Sequence, residues 1–185
     1  MGKYKFNLFT RTFLLITVSV VLPVFASAET YTTSFPLTEN PVSEGGVWTN
    51  APSSWTQVAT TPGFAHGTMP GISYFSDSYA FLSGFGNDQQ VDLVVKKTVT
   101  PVTGEIEALL RFSKTANATY GYECLMNTSG GMELASWYGP VGTYTTLAYG
   151  SAHSTPVNGD ILRARIVGNH ITISFIHNGT ETVGI

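Results

Sequence analysis

Charge is scarce in this chain. Charged residues make up 11% of its 185 positions, against roughly 25% in an average soluble domain. Its surface must therefore be wetted mostly by neutral hydrogen-bonding groups, and Thr, Ser, Asn, Gly and Tyr are plentiful. Basic clusters are missing as well: the close pairs are Lys96-Lys97 and Arg163/Arg165. That disfavours nucleic acid as a partner, because neutralising phosphates takes clustered Lys and Arg. Cys124 is the one cysteine, which excludes an intrachain disulfide and leaves stability to the packed core. No activating group stands beside it in sequence, so it reads as a small buried hydrophobe. Helical periodicity is absent beyond the N-terminus: no segment keeps apolar residues at i, i+3, i+4 and i+7 for three turns. Nor is any later stretch long and apolar enough to span a bilayer.

The first 28 residues have the three parts of a secretion signal. Lys3, Lys5 and Arg11 form a basic lead, Phe13 to Phe25 an apolar run, and Ala26-Ser27-Ala28 a small-residue cleavage site. The run is short for a membrane span and carries Pro23, so cleavage after Ala28 is expected. The mature protein is then secreted, periplasmic or extracellular. Residues 29–185 fit one domain able to bury a single core. The leader holds three of the nine basic residues and none of the twelve acidic ones, so the remainder carries six against twelve, a net of −6.

What is present is period-2 alternation between clusters of Gly, Pro, Asn and Ser, the mark of half-buried strands. Residues 29–90 are the least regular and read as short strands and long loops, with Trp48 and Trp55 flanking a turn-rich stretch. From Gln90 the pattern sharpens. Val91, Leu93 and Val95 alternate with Asp92, Val94 and Lys96 before a break at Pro101 to Gly104. Ile106, Ala108, Leu110 and Phe112 are expected on one strand face, with Glu107, Leu109 and Arg111 on the other. Tyr120, Tyr122, Cys124 and Met126 alternate next, and Asn127 to Gly131 has a hairpin composition. Met132 to Trp137 returns, and Tyr144 to Ala148 is a further strand. Gly168-Asn169 predicts a two-residue hairpin with Val167 opposite His170, Ile166 opposite Ile171, Ala164 opposite Ile173 and Leu162 opposite Phe175. Arg163 and Arg165 then share the other face. Strands of this length with polar turns and no crossover helices predict an all-β, two-sheet antiparallel sandwich of jelly-roll type, with a closed barrel as the alternative. The strand begun after Asn178-Gly179 stops at Ile185, which suggests a chain that continues further.

The runs GYECLMNTSGGMELASWYGPVGTYTTL (121–147) and VNGDILRARIVGNHITISFIHNGTET (157–182) resemble the concanavalin A-like lectin/glucanase superfamily in its laminin-G-like secreted branch. The resemblance carries a GY-x strand, a Trp-x-Gly-Pro turn and a Gly-Asp…Val-Gly-Asn-x-Ile hairpin, in that order. It covers residues 30–185, most fully from Glu105 onward. It implies two curved antiparallel sheets, often carbohydrate-binding and sometimes glycan-cleaving, although fold alone does not license function.

Glycan cleavage needs two carboxylates about 5–10 Å apart. Members that look like the bacterial laminarinases carry acids at i, i+2 and i+4 on one strand; here Glu105 and Glu107 are followed by Leu109. Glu105 and Glu107 are expected to be solvated or paired with Arg111, while Glu123 and Glu133 could form a cross-strand pair. The histidines are too dispersed to grip one ion. The loops Gly86-Asn87-Asp88 and Asn158-Gly159-Asp160 offer one aspartate each, so no cofactor is expected and calcium is the one ion left open. Asn117, Asn127 and Asn178 match the N-glycosylation pattern. Aromatic rings near polar turns are the stronger signal, since flat rings stack on sugar faces while hydroxyls and amides take the sugar's own hydroxyls. Trp137, Tyr138 and Tyr144, with Arg111 and Glu123, form the candidate ligand-binding set, and Tyr149 lies close by in sequence. Trp137 has a competing reading as core. The expected function is a secreted carbohydrate-binding or adhesion module whose partner is a glycan or an extracellular surface component. The alternatives are a glycoside hydrolase or polysaccharide lyase, and a structural secreted β-domain.

Overall fold

The computed structural model describes residues 29–69, 78–97 and 104–185. The expected leader and the break at Pro101 to Thr103 lie outside the described residues. No helix occurs among those described. The N-terminal part contributes four short strands, β1 (Trp48–Asn50), β2 (Val58–Thr61), β3 (Phe64–Gly67) and β4 (Ala80–Leu82). Eight longer ones follow: β5 (Gln89–Val94), β6 (Glu105–Lys114), β7 (Thr119–Asn127), β8 (Gly131–Gly139), β9 (Tyr144–Ser151), β10 (Ile161–Val167), β11 (His170–His177) and β12 (Thr180–Val183). These eight form a sandwich of two four-stranded antiparallel sheets, ordered β6-β7-β8-β9 and β12-β11-β10-β5. The pairs β1-β4 and β2-β3 make two small ribbons.

The inner faces are built by the alternation visible in the sequence. Ala108, Leu110, Cys124, Met126, Met132 and Leu134 from one sheet meet Leu162, Ala164, Ile166, Ile173 and Phe175 from the other. Each fully buried large aliphatic or aromatic side chain contributes roughly 1.5–3 kcal/mol. The β10-β11 register is the expected one at every position, from Val167↔His170 through Ile166↔Ile171 and Ala164↔Ile173 to Leu162↔Phe175. Gly168 has φ 56°, the positive value a II′ turn places at its first central residue. On the opposite face Arg165 is exposed, while Arg163 is half-buried in a fork between Asp92 (2.6 Å) and Glu181 (2.9 Å). The turn at Asn127 is held by its own side chain: Oδ1 accepts from Ser129 N, Ser129 Oγ and Gly131 N.

One expected face is corrected. Phe112 was placed beside Ile106, Ala108 and Leu110, but the ladder between β6 and β7 shifts between Leu110 and Ser113, and Arg111 has φ 50°. A bulge of this kind turns the following side chain to the other face. Phe112 therefore joins Leu109 in a second apolar cluster on the outer side of the β6–β9 sheet. There Trp137 packs against Ala51, Trp55 and Tyr79, with Phe81, Val141 and Tyr144 around them. Trp55 meets Trp137 at 4.8 Å and Tyr79 at 5.0 Å between ring centroids, both edge-on. Gly121 makes this possible, since a Cβ there would lie 2.6 Å from Phe112 Cδ2 and 2.9 Å from its Cα. The N-terminal ribbon thus covers one half of that outer face.

Candidate functional site

The five candidate residues do not form one surface. Trp137 is 3% exposed, and its Nε1–H donates to Glu123 Oε2 at 2.6 Å. Glu123 is itself buried. The expected stacking role of Trp137 gives way to its other reading, as core, because strand alternation turns it under the N-terminal ribbon. Tyr144 lies against Trp137, centroids 4.8 Å apart, and is half-buried. Arg111 acts as a clamp between the sheets. Its Nε donates to Asn87 O (2.7 Å), its Nη2 donates to Gly168 O (2.6 Å) and approaches Asp88 (3.9 Å), and its backbone N–H donates to Gln89 Oε1 (2.6 Å). Asp88 Oδ1 in turn accepts from Gly168 N. These partners stitch the β10-β11 turn to the β6 bulge.

Tyr138 is the candidate that reaches solvent, 53% exposed. Directly opposite it on β7 stands Tyr120, 42% exposed, and opposite Tyr120 on β6 is Ser113. Opposed residues in an antiparallel pair have Cβ atoms about 4.5–5.5 Å apart, so the two rings rise side by side. The next row inward is Tyr122, Ser136 and Thr145, and Tyr138 Oη lies 3.2 Å from Thr145 Oγ1. Tyr120 and Tyr138 belong to the same strand faces as the core residues Cys124 and Leu134. Exposure rises along β7 from Cys124, fully buried, through half-buried Tyr122 to Tyr120. The tyrosines therefore continue the inner face where cover by the opposing sheet runs out. The result is a flat, uncharged rim of phenol rings and hydroxyls.

A second feature lies on the outer face, in the half that the N-terminal ribbon leaves uncovered. Glu107, Leu125, Glu133 and Tyr149 stand in one row across β6 to β9. Leu125, Asn127, Gly131, Glu133, Tyr149 and Gly150 line a shallow open cleft of about 190 Å³. Tyr149 is 76% exposed, and Thr146 Oγ1 donates to Glu133 Oε1 at 2.5 Å. Glu123 is opposite Ala135 and Glu133 opposite Leu125, so these two carboxylates are diagonal neighbours on one face rather than directly opposed.

Among the described residues, no three His, Cys, Asp or Glu side chains converge as metal ligands. The loop aspartates have structural partners: Asp160 is buried, takes Val157 N on Oδ2 and lies 2.9 Å from His177 Nδ1. Cys124 is fully buried and free, and its burial, with Glu123 adding negative charge nearby, pushes the thiol up to about 12. A thiol so placed is protonated and inert.

Tyr120 and Ser113 were not singled out from the sequence; Glu107, Glu133 and Tyr149 were, but not as one row. The signal for Tyr120 was present: a hairpin centred on Ser129 pairs residues whose numbers are symmetric about it, which sets Tyr120 against Tyr138. No family model, curated protein or solved structure matches the chain, so the reading of these surfaces rests on their own geometry.

Proposed function

We propose that the chain is a secreted, non-catalytic glycan-binding domain that takes neutral sugar rings on the Tyr120–Tyr138 rim. The observation that carries this reading is two exposed tyrosines set directly opposite each other among Ser113, Ser136 and Thr145. The C–H bonds on one face of a pyranose are weakly positive and apolar, and the π-face of a phenol ring is weakly negative. Stacking desolvates both, while hydroxyls around the ring exchange hydrogen bonds with water for hydrogen bonds with the sugar. An uncharged platform neither attracts nor repels ionic polymers strongly, which favours neutral glycans. A likeness to concanavalin A-like secreted domains and an export leader agree with this reading. The test is a glycan array followed by calorimetric titration of the best ligand into wild type and Tyr138→Ala.

The Glu107–Glu133 row favours a second reading, a glycan-processing enzyme on the outer face. Two strand spacings set these residues about 9.5 Å apart, within the range used by inverting glycosidases. Reducing-sugar release from common polysaccharides that disappears in Glu133→Gln would establish it in place of the first.

A further inference from the structure

On the outer face of the β12-β11-β10-β5 sheet, strand alternation sets two arginines in adjacent rows with unequal company. Arg163 stands between Asp92 on β5 and Ser174 on β11, and Arg165 between Gln90 and Thr172. Arg163 is engaged on three sides: its Nε and Nη2 donate to the two oxygens of Asp92 at 2.9 and 2.6 Å, and its Nη1 donates to Glu181 at 2.9 Å. The row beyond Arg165, Val167 and His170, adds no acid, and Asp88 is taken up at the β10-β11 turn by Gly168 N and Arg111. Arg165 is exposed, and among the described residues its guanidinium has no ion-pair or hydrogen-bond partner. Ser174 lies between Arg163 and Val183. A small side chain between taller ones leaves a dent, and a cleft of about 250 Å³ opens there, lined by Gln90, Arg163, Arg165, Thr172, Ser174 and Glu181 with Val183 beside them. Ser174 is 3% exposed, and its hydroxyl, like that of Thr172, has no hydrogen-bond partner among the described residues.

We infer that this cleft binds a carboxylate-bearing sugar, a uronate, with the carboxylate on Arg165. The two acids and two arginines of the cleft sum to zero, so recognition rests on directed bonds and not on a long-range field. Asp92 and Glu181 already turn their oxygens to Arg163, whereas Arg165 presents an unshared planar fork of N–H donors, the geometry that a carboxylate accepts in two parallel bonds. The rest of the lining suits a sugar better than a bare acid. The hydroxyls of Ser174 and Thr172 can each donate and accept. Gln90, whose Nε2 donates to Asp92 Oδ1 at 3.2 Å, keeps its Oε1 as an acceptor. Ring hydroxyls beside the carboxylate find these neutral partners, and the buried Ser174 hydroxyl gains the bond it lacks in the free protein. The domain's net −6 and the openness of the cleft keep binding weak. At the efficiency usual for small ligands, a uronate binds with a Kd on the order of 1 mM. The cleft lies on the other sheet from the Tyr120–Tyr138 rim, and the inference does not depend on what that rim binds.

Amide chemical shifts of the 15N-labelled chain, followed at pH 7 and constant ionic strength, test the inference with three probes: methyl β-glucuronide, its neutral twin methyl β-glucoside, and acetate. The glucuronide should shift the amides of Gln90, Arg165, Thr172 and Ser174 and saturate near 1 mM, with the glucoside and acetate each weaker by about tenfold or more. Arg165→Gln, at an exposed position, should weaken the glucuronide by about tenfold with unchanged circular dichroism, and Ser174→Ala by about threefold. Tyr138→Ala should leave glucuronide binding as it is, which separates this cleft from the rim. Glucuronide binding that survives Arg165→Gln overturns the inference, as does a glucoside that binds as tightly as the glucuronide. Acetate that matches the glucuronide overturns the assignment to a sugar. Shifts that gather at Tyr120 and Tyr138 instead, or no shift at any of the four amides, overturn the site.

Discussion

Replacing Trp137 with Phe removes the side-chain bond that joins β8 to β7 on the outer face of their sheet. Phe keeps an aromatic ring beside Trp55 and Tyr144 but removes the Nε1–H that reaches buried Glu123 at 2.6 Å. A hydrogen bond to a carboxylate contributes roughly 1.5–3 kcal/mol, and a buried acceptor that loses a donor keeps its desolvation cost. The smaller ring leaves space beneath the N-terminal ribbon, which adds about 1 kcal/mol. The expected loss is about 3–4 kcal/mol. For a domain of this size each kcal/mol lowers Tm by roughly 2–4 °C, so a drop of about 6–16 °C should appear in differential scanning calorimetry. A double-mutant cycle with Glu123→Met, which removes the acceptor at similar volume, separates the bond from the ring volume. Coupling of about 1–2 kcal/mol is expected. A Tm drop under about 2 °C, or coupling within about 0.3 kcal/mol of zero, would refute the assignment of Trp137 and Glu123 to a stabilising buried pair.

Three further outcomes follow from the packing. Gly121→Ala should cost more than about 2 kcal/mol in urea unfolding, because its Cβ meets Phe112 at 2.6 Å and the backbone φ is 138°; a neutral result would mean that the β6 bulge yields freely. Cys124 should resist alkylation at pH 8 in the native state and react fully once the chain is unfolded in denaturant, because its thiol is buried and pushed up to about 12; rapid native labelling contradicts the placement. Asp92 is held below its ordinary range chiefly by its hydrogen bonds to Arg163, so its contribution is present above about pH 4 and is lost as pH falls through the lower folded value. Asp92→Asn should therefore flatten the acid limb of the stability profile below about pH 4 and lower stability at pH 7; an unchanged acid limb would show the fork to be without effect.

The fold was legible where alternation and turn chemistry agreed. The Gly168-Asn169 turn and its flanking apolar residues specify register and burial together, since a slip of one residue would turn every side chain over. Phe112 was misplaced because a bulge leaves no trace in a period-2 pattern: the positive φ falls on Arg111, a residue with no special liking for it. The outer-face cluster was illegible for a different reason. Trp55, Tyr79 and Ala51 come from irregular chain whose destination is decided by packing on a distant sheet, so nothing local marks Trp137 as covered rather than exposed. The candidate site split along the same line. Trp137 and Tyr138 are neighbours in sequence, and on a strand that places them on opposite faces, one under the ribbon and the other on the rim.

The central claim, that the Tyr120–Tyr138 rim binds neutral glycans, is tested most directly by calorimetric titration of the best array ligand. Wild type should bind, and Tyr138→Ala and Tyr120→Ala should each weaken binding by about 1 kcal/mol or more, the loss expected of a ring that anchors a ligand. Glu107→Gln should leave affinity unchanged. Binding that survives both tyrosine variants but is lost in Glu107→Gln would contradict the account and move the site to the outer face, and a folded wild type that binds no glycan would contradict it altogether.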